Sequence, residues 1–211
     1  MAALAALAAG TVATLLSGMW RVGATVAIVV LLAYVGYSAR RRSEVPQWRR
    51  ASMAQRRTEA QLRVMKRFGY RVLHARSVPG GNGVIDHFVV GRRGAFAIDS
   101  ETWDKRLPLH NKMEKLYHGN IPKNDRLDEA LEEARLAQSL ISAELNREIF
   151  VRPSLVIYGP TMSWDVHRLR GIDVLPGHKV RKWLRAGDDR LTETEIDQIY
   201  TAAQEVLPSR Y

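Results

Sequence analysis

Residues 83–103 read GVIDHFVVGRRGAFAIDSETW, and this stretch decides the fold. Residues 84–90 are apolar and largely β-branched, interrupted only by Asp86 and His87. Gly91-Arg92-Arg93-Gly94 is a turn with glycine where positive φ is easiest. Residues 95–101 are again strand-like, so the stretch reads as a β-hairpin. Each strand carries acid among apolar neighbours: Asp86 in the first, Asp99 and Glu101 in the second. A carboxylate inside a buried strand is costly unless something neutralises it. Side chains alternate along a strand, which puts Asp99 and Glu101 on one face behind the small Ala95 and Ala97. Pairing of the two strands brings Asp86 within roughly 5–8 Å of Asp99. Three carboxylates converging on one point outline a site for a hard cation. His87 points to the opposite face and reads as a structural histidine.

Around this hairpin the order of elements is helix, three strands, helix, strand. A helical stripe covers residues 51–68 (Met53, Ala54, Leu62, Met65, Phe68), and Gly69 ends it. Residues 71–76 alternate as an edge strand, and residues 77–83 form a glycine-rich connection. Residues 102–120 are polar, with short strands expected at 106–109 and 115–118. Asn124 or Asp125 caps a long helix to residue 145, whose stripe runs through Leu127, Ala130, Leu131, Ala134, Ala137, Leu140, Ile141 and Leu145. Strands come next at 150–158 and 172–175. Residues 178–185 form a short basic helix around Trp183, whose ring either stacks on a base or packs inward. Residues 191–207 begin with a Thr192/Glu195 capping box.

The quoted residues resemble the nuclease-related domain (NERD) family, a branch of the restriction-endonuclease-like PD-(D/E)XK superfamily. The resemblance rests on Arg57-Thr58-Glu59, on residues 68–73 (FGYRVL), on residues 85–91 (IDHFVVG) and on residues 94–101 (GAFAIDSE), and extends over about 51–176. It implies an α/β fold with a restriction-endonuclease-like αβββαβ core and a mixed sheet. It also implies Mg²⁺- or Mn²⁺-dependent hydrolysis of DNA or RNA, with Asp86, Asp99, Glu101 and Glu59 as catalytic residues and the first three as metal ligands. Arg92, Arg93 and Lys105 are the nearest candidates for nucleic-acid contact. Two positions depart from the family pattern. Thr58 stands where glycine is usual, and Glu101 stands where lysine is usual. Glu101 cannot supply positive charge, although some restriction-type members carry glutamate there. The alternative is a domain that keeps the fold, has lost hydrolysis and serves as a binding or scaffold module, with Arg92, Arg93 or Lys105 neutralising its acids.

The first forty residues are of another kind. Residues 1–37 hold one charged side chain, Arg21. Residues 22–39, about 18 in number, are long enough to cross a bilayer, and Arg40-Arg41-Arg42 places the C-terminal side in the cytoplasm. Residues 2–19 are a weaker apolar run, either the first arm of a hairpin or a peripheral segment. Through Arg57 the chain holds eight arginines, one glutamate and no lysine or aspartate, so +7 of the net +10 lies there. That basic stretch suits anionic lipid or a nucleic-acid backbone. The expected organisation is a membrane anchor of one or two transmembrane helices at 1–39, and a basic juxtamembrane connector with the start of the first helix at 40–57. A nuclease-related domain spans 58–177 and a C-terminal helical extension 178–211, in a cell-membrane protein of the actinobacterial type. No cysteine is present, which excludes thiol chemistry and disulfides, and there is no P-loop and no GxSxG elbow.

Overall fold

A computed structural model describes residues 11, 14–15, 18–41, 52–81 and 83–210, in two units, Met1–Trp48 and Arg49–Tyr211. In the first unit, helix α1 (Trp20–Arg41) covers the whole of the predicted span. Its side chains are described as far as Val30. Among the described residues no helix is long and apolar enough to cross a membrane, so a helix is shown there and a crossing is not. Most of the run at 2–19, and the connector from 42 to 51, fall outside the described residues.

The second unit begins at Ser52, whose hydroxyl accepts the Gln55 N–H at 3.2 Å while Gln55 Oε1 accepts the Ser52 N–H at 2.7 Å. This reciprocal cap starts helix α2 (Met53–Lys66). Its buried positions are Ala54, Thr58, Glu59, Leu62 and Met65. Met53 and Phe68, expected on the same stripe, are exposed, because Phe68 lies beyond the Arg67 cap. Strands β1 (Arg71–Ser77), β2 (Val84–Gly91) and β3 (Gly94–Thr102) pair antiparallel. A separate small sheet comes next, made of β4 (Leu109–Lys112), β5 (Lys115–His118) and β6 (Ile121–Pro122).

Helix α3 (Asn124–Leu145) starts without a side-chain cap. Asn124, expected to cap it, instead accepts the Leu116 N–H at 3.1 Å and ties the helix to β5. Strand β7 (Val151–Tyr158) lies parallel to β3, and β9 (Ile172–Pro176) parallel to β7, with the three-residue β8 (His167–Leu169) antiparallel on the outside. The sheet is therefore mixed, in the order β1-β2-β3-β7-β9-β8, and the protein is of the α/β class. A 3₁₀ turn (Gly177–Lys179), α4 (Val180–Leu184) and α5 (Glu193–Val206) complete the chain, the last with the expected Thr192/Glu195 box.

Alternation along β2 and β3 sorts the core into two layers. Phe88, Val90, Ala95 and Ala97 face α3 and α5 through Ala134, Ala137, Ile199 and Ala203. Val72, Val89, Phe96 and Ile98 face α2 and α4 through Leu62, Met65 and Trp183. Trp183 is thus a core side chain and not a stacking platform, and its indole N–H donates to buried Asp173 at 3.0 Å. Thr58 is buried as well, and its hydroxyl links Ser100 at 2.8 Å and Tyr158 at 3.0 Å, which accounts for a hydroxyl where the family has glycine.

Candidate functional site

Asp86 and Asp99 lie side by side at the end of the β2–β3 hairpin away from its turn. The antiparallel register pairs His87 with Ile98, and the next step brings the two aspartates together. The Asp86 N–H donates to Asp99 Oδ1 at 3.3 Å. Asp86 Oδ2 accepts the Ser100 N–H at 2.8 Å, and its Oδ1 accepts the Gln55 side-chain amide. That amide has a fixed orientation, because Gln55 Oε1 is already committed to the Ser52 N–H. A third carboxylate approaches from α3. Glu133 accepts the Val84 N–H at 3.1 Å and presses on Gly83, where a Cβ would collide with it.

Burial and crowding set the protonation of this group. Burial, then the charges of Glu133 and Asp86, push the Asp99 carboxyl well above its ordinary value. Burial is also the main cause at Asp86, aided by Glu101 and Glu133 and opposed by the Ser100 N–H and the Gln55 amide. Its carboxyl is raised from 3.8 to about 7. A side-chain hydrogen bond between Asp99 and Glu133 adds to the rise at Asp99.

The other expected residues are placed differently. Glu101 shares its face with Asp99, but its Oε1 accepts from Arg126 Nη2 at 2.9 Å. Among the described residues no group of three or more Asp, Glu, His or Cys side chains is arranged to hold a metal ion. The expected three-carboxylate set is therefore two aspartates, with Glu101 drawn toward a guanidinium. Glu59 is buried and accepts from Arg63 at 3.1 Å, on the helix that covers the opposite face of the sheet from Glu133. Arg92 and Arg93 sit in the turn, about 17 Å along the strands from the aspartates at 3.3 Å per residue. They pair with Asp189, and Arg92 also with Glu193, so they do not neutralise the acids. Lys105 is exposed in the turn after β3.

His87 behaves as expected. It is buried, its Nδ1 meets His74 Nδ1 at 2.8 Å and its Nε2 meets the Gln55 carbonyl at 3.2 Å. The carbonyl can only accept, so His87 carries its proton on Nε2, and His74 donates through Nδ1. Burial and the neighbouring imidazole hold His87 well below the usual histidine range.

A cavity of about 670 Å³ opens beside Asp86, lined also by Gly81, Gly83, Arg126, Glu129 and Glu133. Sequence reading missed Glu133 and Arg126 at this place. Both lie on α3, and in an acid-rich helix nothing marks one glutamate as turned inward.

The protein thus joins a mixed α/β sheet to paired acids on two adjacent antiparallel strands, beside a cleft walled by the following long helix. The family model for the nuclease-related domain matches residues 50–158, just over half of the chain, and the protein belongs to that family. No curated protein and no solved structure matches it.

Proposed function

We propose that this chain is a membrane-anchored nuclease that hydrolyses phosphodiester bonds of DNA or RNA with a divalent metal ion, on a restriction-endonuclease-like αβββαβ core. The observation that carries the reading is the Asp86–Asp99 pair, with Asp99 buried and Asp86 half-buried in the wall of an open cleft. The donors suit a hard cation because all are oxygens. The hydrogen bonds to Asp86 use one lone pair of each oxygen and leave the others. Burial is the larger cause of the raised acids, and the smaller part, from neighbouring carboxylates, is a negative potential that a cation would relieve. Asp86 and Asp99 would hold Mg²⁺ or Mn²⁺, an ion that is commonly bound by one or two carboxylates with water and phosphate oxygens completing its shell. When bound, such an ion supplies charge neutralisation at the phosphate and a more acidic water. The chain's own contribution is to fix the acids. Gln55 and the Ser100 N–H orient Asp86, and the Asp86 N–H orients Asp99.

The membrane part of the reading is supported by α1, with arginine at both ends, and by the basic residues after it. This arrangement suits a cell-membrane protein whose folded domain lies on the cytoplasmic side. A second reading, a nuclease-fold scaffold without hydrolysis, is favoured by the engagement of Glu101 with Arg126.

Calorimetric titration of Mn²⁺ and Mg²⁺ into the full chain, beside Asp99→Ala, separates the two. Binding by the wild type that vanishes in the variant supports the metal site. Absence of binding by the wild type leaves the scaffold.

A further inference from the structure

Arg126 stands in the first turn of α3, reaching β3 from the side. Its Nη2 donates to Glu101 and its Nη1 pairs with Glu129, while its Nε is buried with no hydrogen-bond partner among the described residues. The guanidinium lines the cavity with Asp86 and Glu133 and is close enough to Asp99 to feel its charge.

Four carboxylates, Asp86, Asp99, Glu101 and Glu133, gather at this end of the hairpin. Alone they would repel a phosphodiester. The strand position where the family has lysine holds Glu101, so no cation comes from β3. Arg126 brings one to the same place from the helix. A guanidinium has five N–H donors in a planar fork. One on each Nη is committed to glutamate, which leaves a second on each Nη free for another acceptor. The two glutamates also fix the plane of the fork, as a group must be fixed to recognise an oxyanion by geometry.

We propose that Arg126 grips a non-bridging oxygen of the substrate phosphodiester, and that Glu101 is not a metal ligand but the positioning residue that aims it. The proposal rests on the nuclease reading of the same site, and it assigns the missing positive charge. Glu101 and Arg126 then form one functional unit in place of the single lysine, and the departure at position 101 is compensated within the structure.

The test is fluorescence anisotropy of the full chain with DNA and RNA oligonucleotides of one sequence, about twelve nucleotides long, across a salt series without divalent metal. R126Q is expected to lose about tenfold or more in affinity, the range of a hydrogen bond to a charged group. Its log–log salt dependence should flatten by about one phosphate contact. R126K should lose less, because it keeps the charge without the fork, and E101L should bind about threefold more weakly than E101Q, which has the same charge but keeps the acceptor that aims the fork. A purely structural ion pair would leave the salt dependence unmoved. If R126Q does not fold, E101Q/R126Q removes both charges together and carries the same expectation. Unchanged affinity and salt slope in the folded variant, or failure of the wild type to bind either oligonucleotide, would overturn the proposal. Mn²⁺ titration of R126Q keeps the two readings apart. Binding should be as tight as in the wild type or tighter, because a neighbouring positive charge is gone. Loss of oligonucleotide binding in R126Q, in a chain whose wild type binds no Mn²⁺, would sink the metal reading and leave Arg126 as a phosphate-binding residue.

Discussion

Asp86→Asn should change how stability depends on pH more than it changes stability at any one pH. The carboxyl lies at about 7 in the folded chain against an ordinary value of 3.8. Because the folded value is raised, the group favours folding fully below 3.8, and that contribution is lost as pH rises through 7. The whole difference is worth about 4 kcal/mol, of which about 2 kcal/mol falls between roughly pH 5.5 and pH 8.5. Asp99, itself raised, lies beside Asp86, and the charges of Glu101 and Glu133 add to the rise at Asp86, so the loss belongs to the Asp86–Asp99 pair. His87 works the other way. Its depressed value costs stability as pH falls below the ordinary 6.5, but it does so in wild type and variant alike. Absolute stability is a poor readout, because an asparagine at 86 turns an amide N–H toward Gln55 or Ser100, both donors, and forfeits about 1–3 kcal/mol. The measurement is urea unfolding of the full chain in chelator at several pH values. The wild type should lose about 2 kcal/mol relative to Asp86→Asn across that window, and saturating Mn²⁺ should remove most of the difference. Parallel pH profiles of the two proteins would refute the idea that burial and crowding hold a proton at this position.

Two further substitutions probe the supports of the site. Thr58→Val keeps the shape of a fully buried side chain and removes the acceptor for Ser100 and the partner of Tyr158. It should cost about 1–3 kcal/mol in urea unfolding. Trp183→Phe removes one of the two donors on the buried Asp173 carboxylate, leaving Arg152 as the other. It should lower stability by about 1.5–3 kcal/mol, and near-neutral behaviour would show that Arg152 suffices.

The hairpin and its acids were legible because period-two alternation and a glycine-bounded turn fix faces and register within twenty residues. The order of the main elements was legible for the same reason, since each strand or helix carries its own period. What was not legible depends on distant partners. Glu133 and Arg126 enter the site by the rotation of α3 about its axis, which is set by Ala130, Ala134 and Ala137 packing on the sheet and not by anything near Asp99. Strand β8 has only three residues, too few to show a period, and owes its existence to pairing with β9. The cap at Asn124 failed because its side chain is taken by the Leu116 N–H rather than by its own helix. Arg92 and Arg93 looked close to the acids in sequence, yet a strand's length separates the turn of a hairpin from its open end.

Gln55 links two events that are otherwise unrelated. One amide completes the box that starts α2 and holds the Asp86 carboxylate, and the carbonyl of the same residue receives the His87 ring. Fraying of the first helical turn and release of Asp86 are therefore one opening, and linkage makes them reciprocal. Whatever steadies the carboxylate must also slow hydrogen exchange at the start of α2, where the helix meets the basic connector. Occupancy of the cleft becomes readable at the helix's first turn, which does not itself line the cavity, as protected amides.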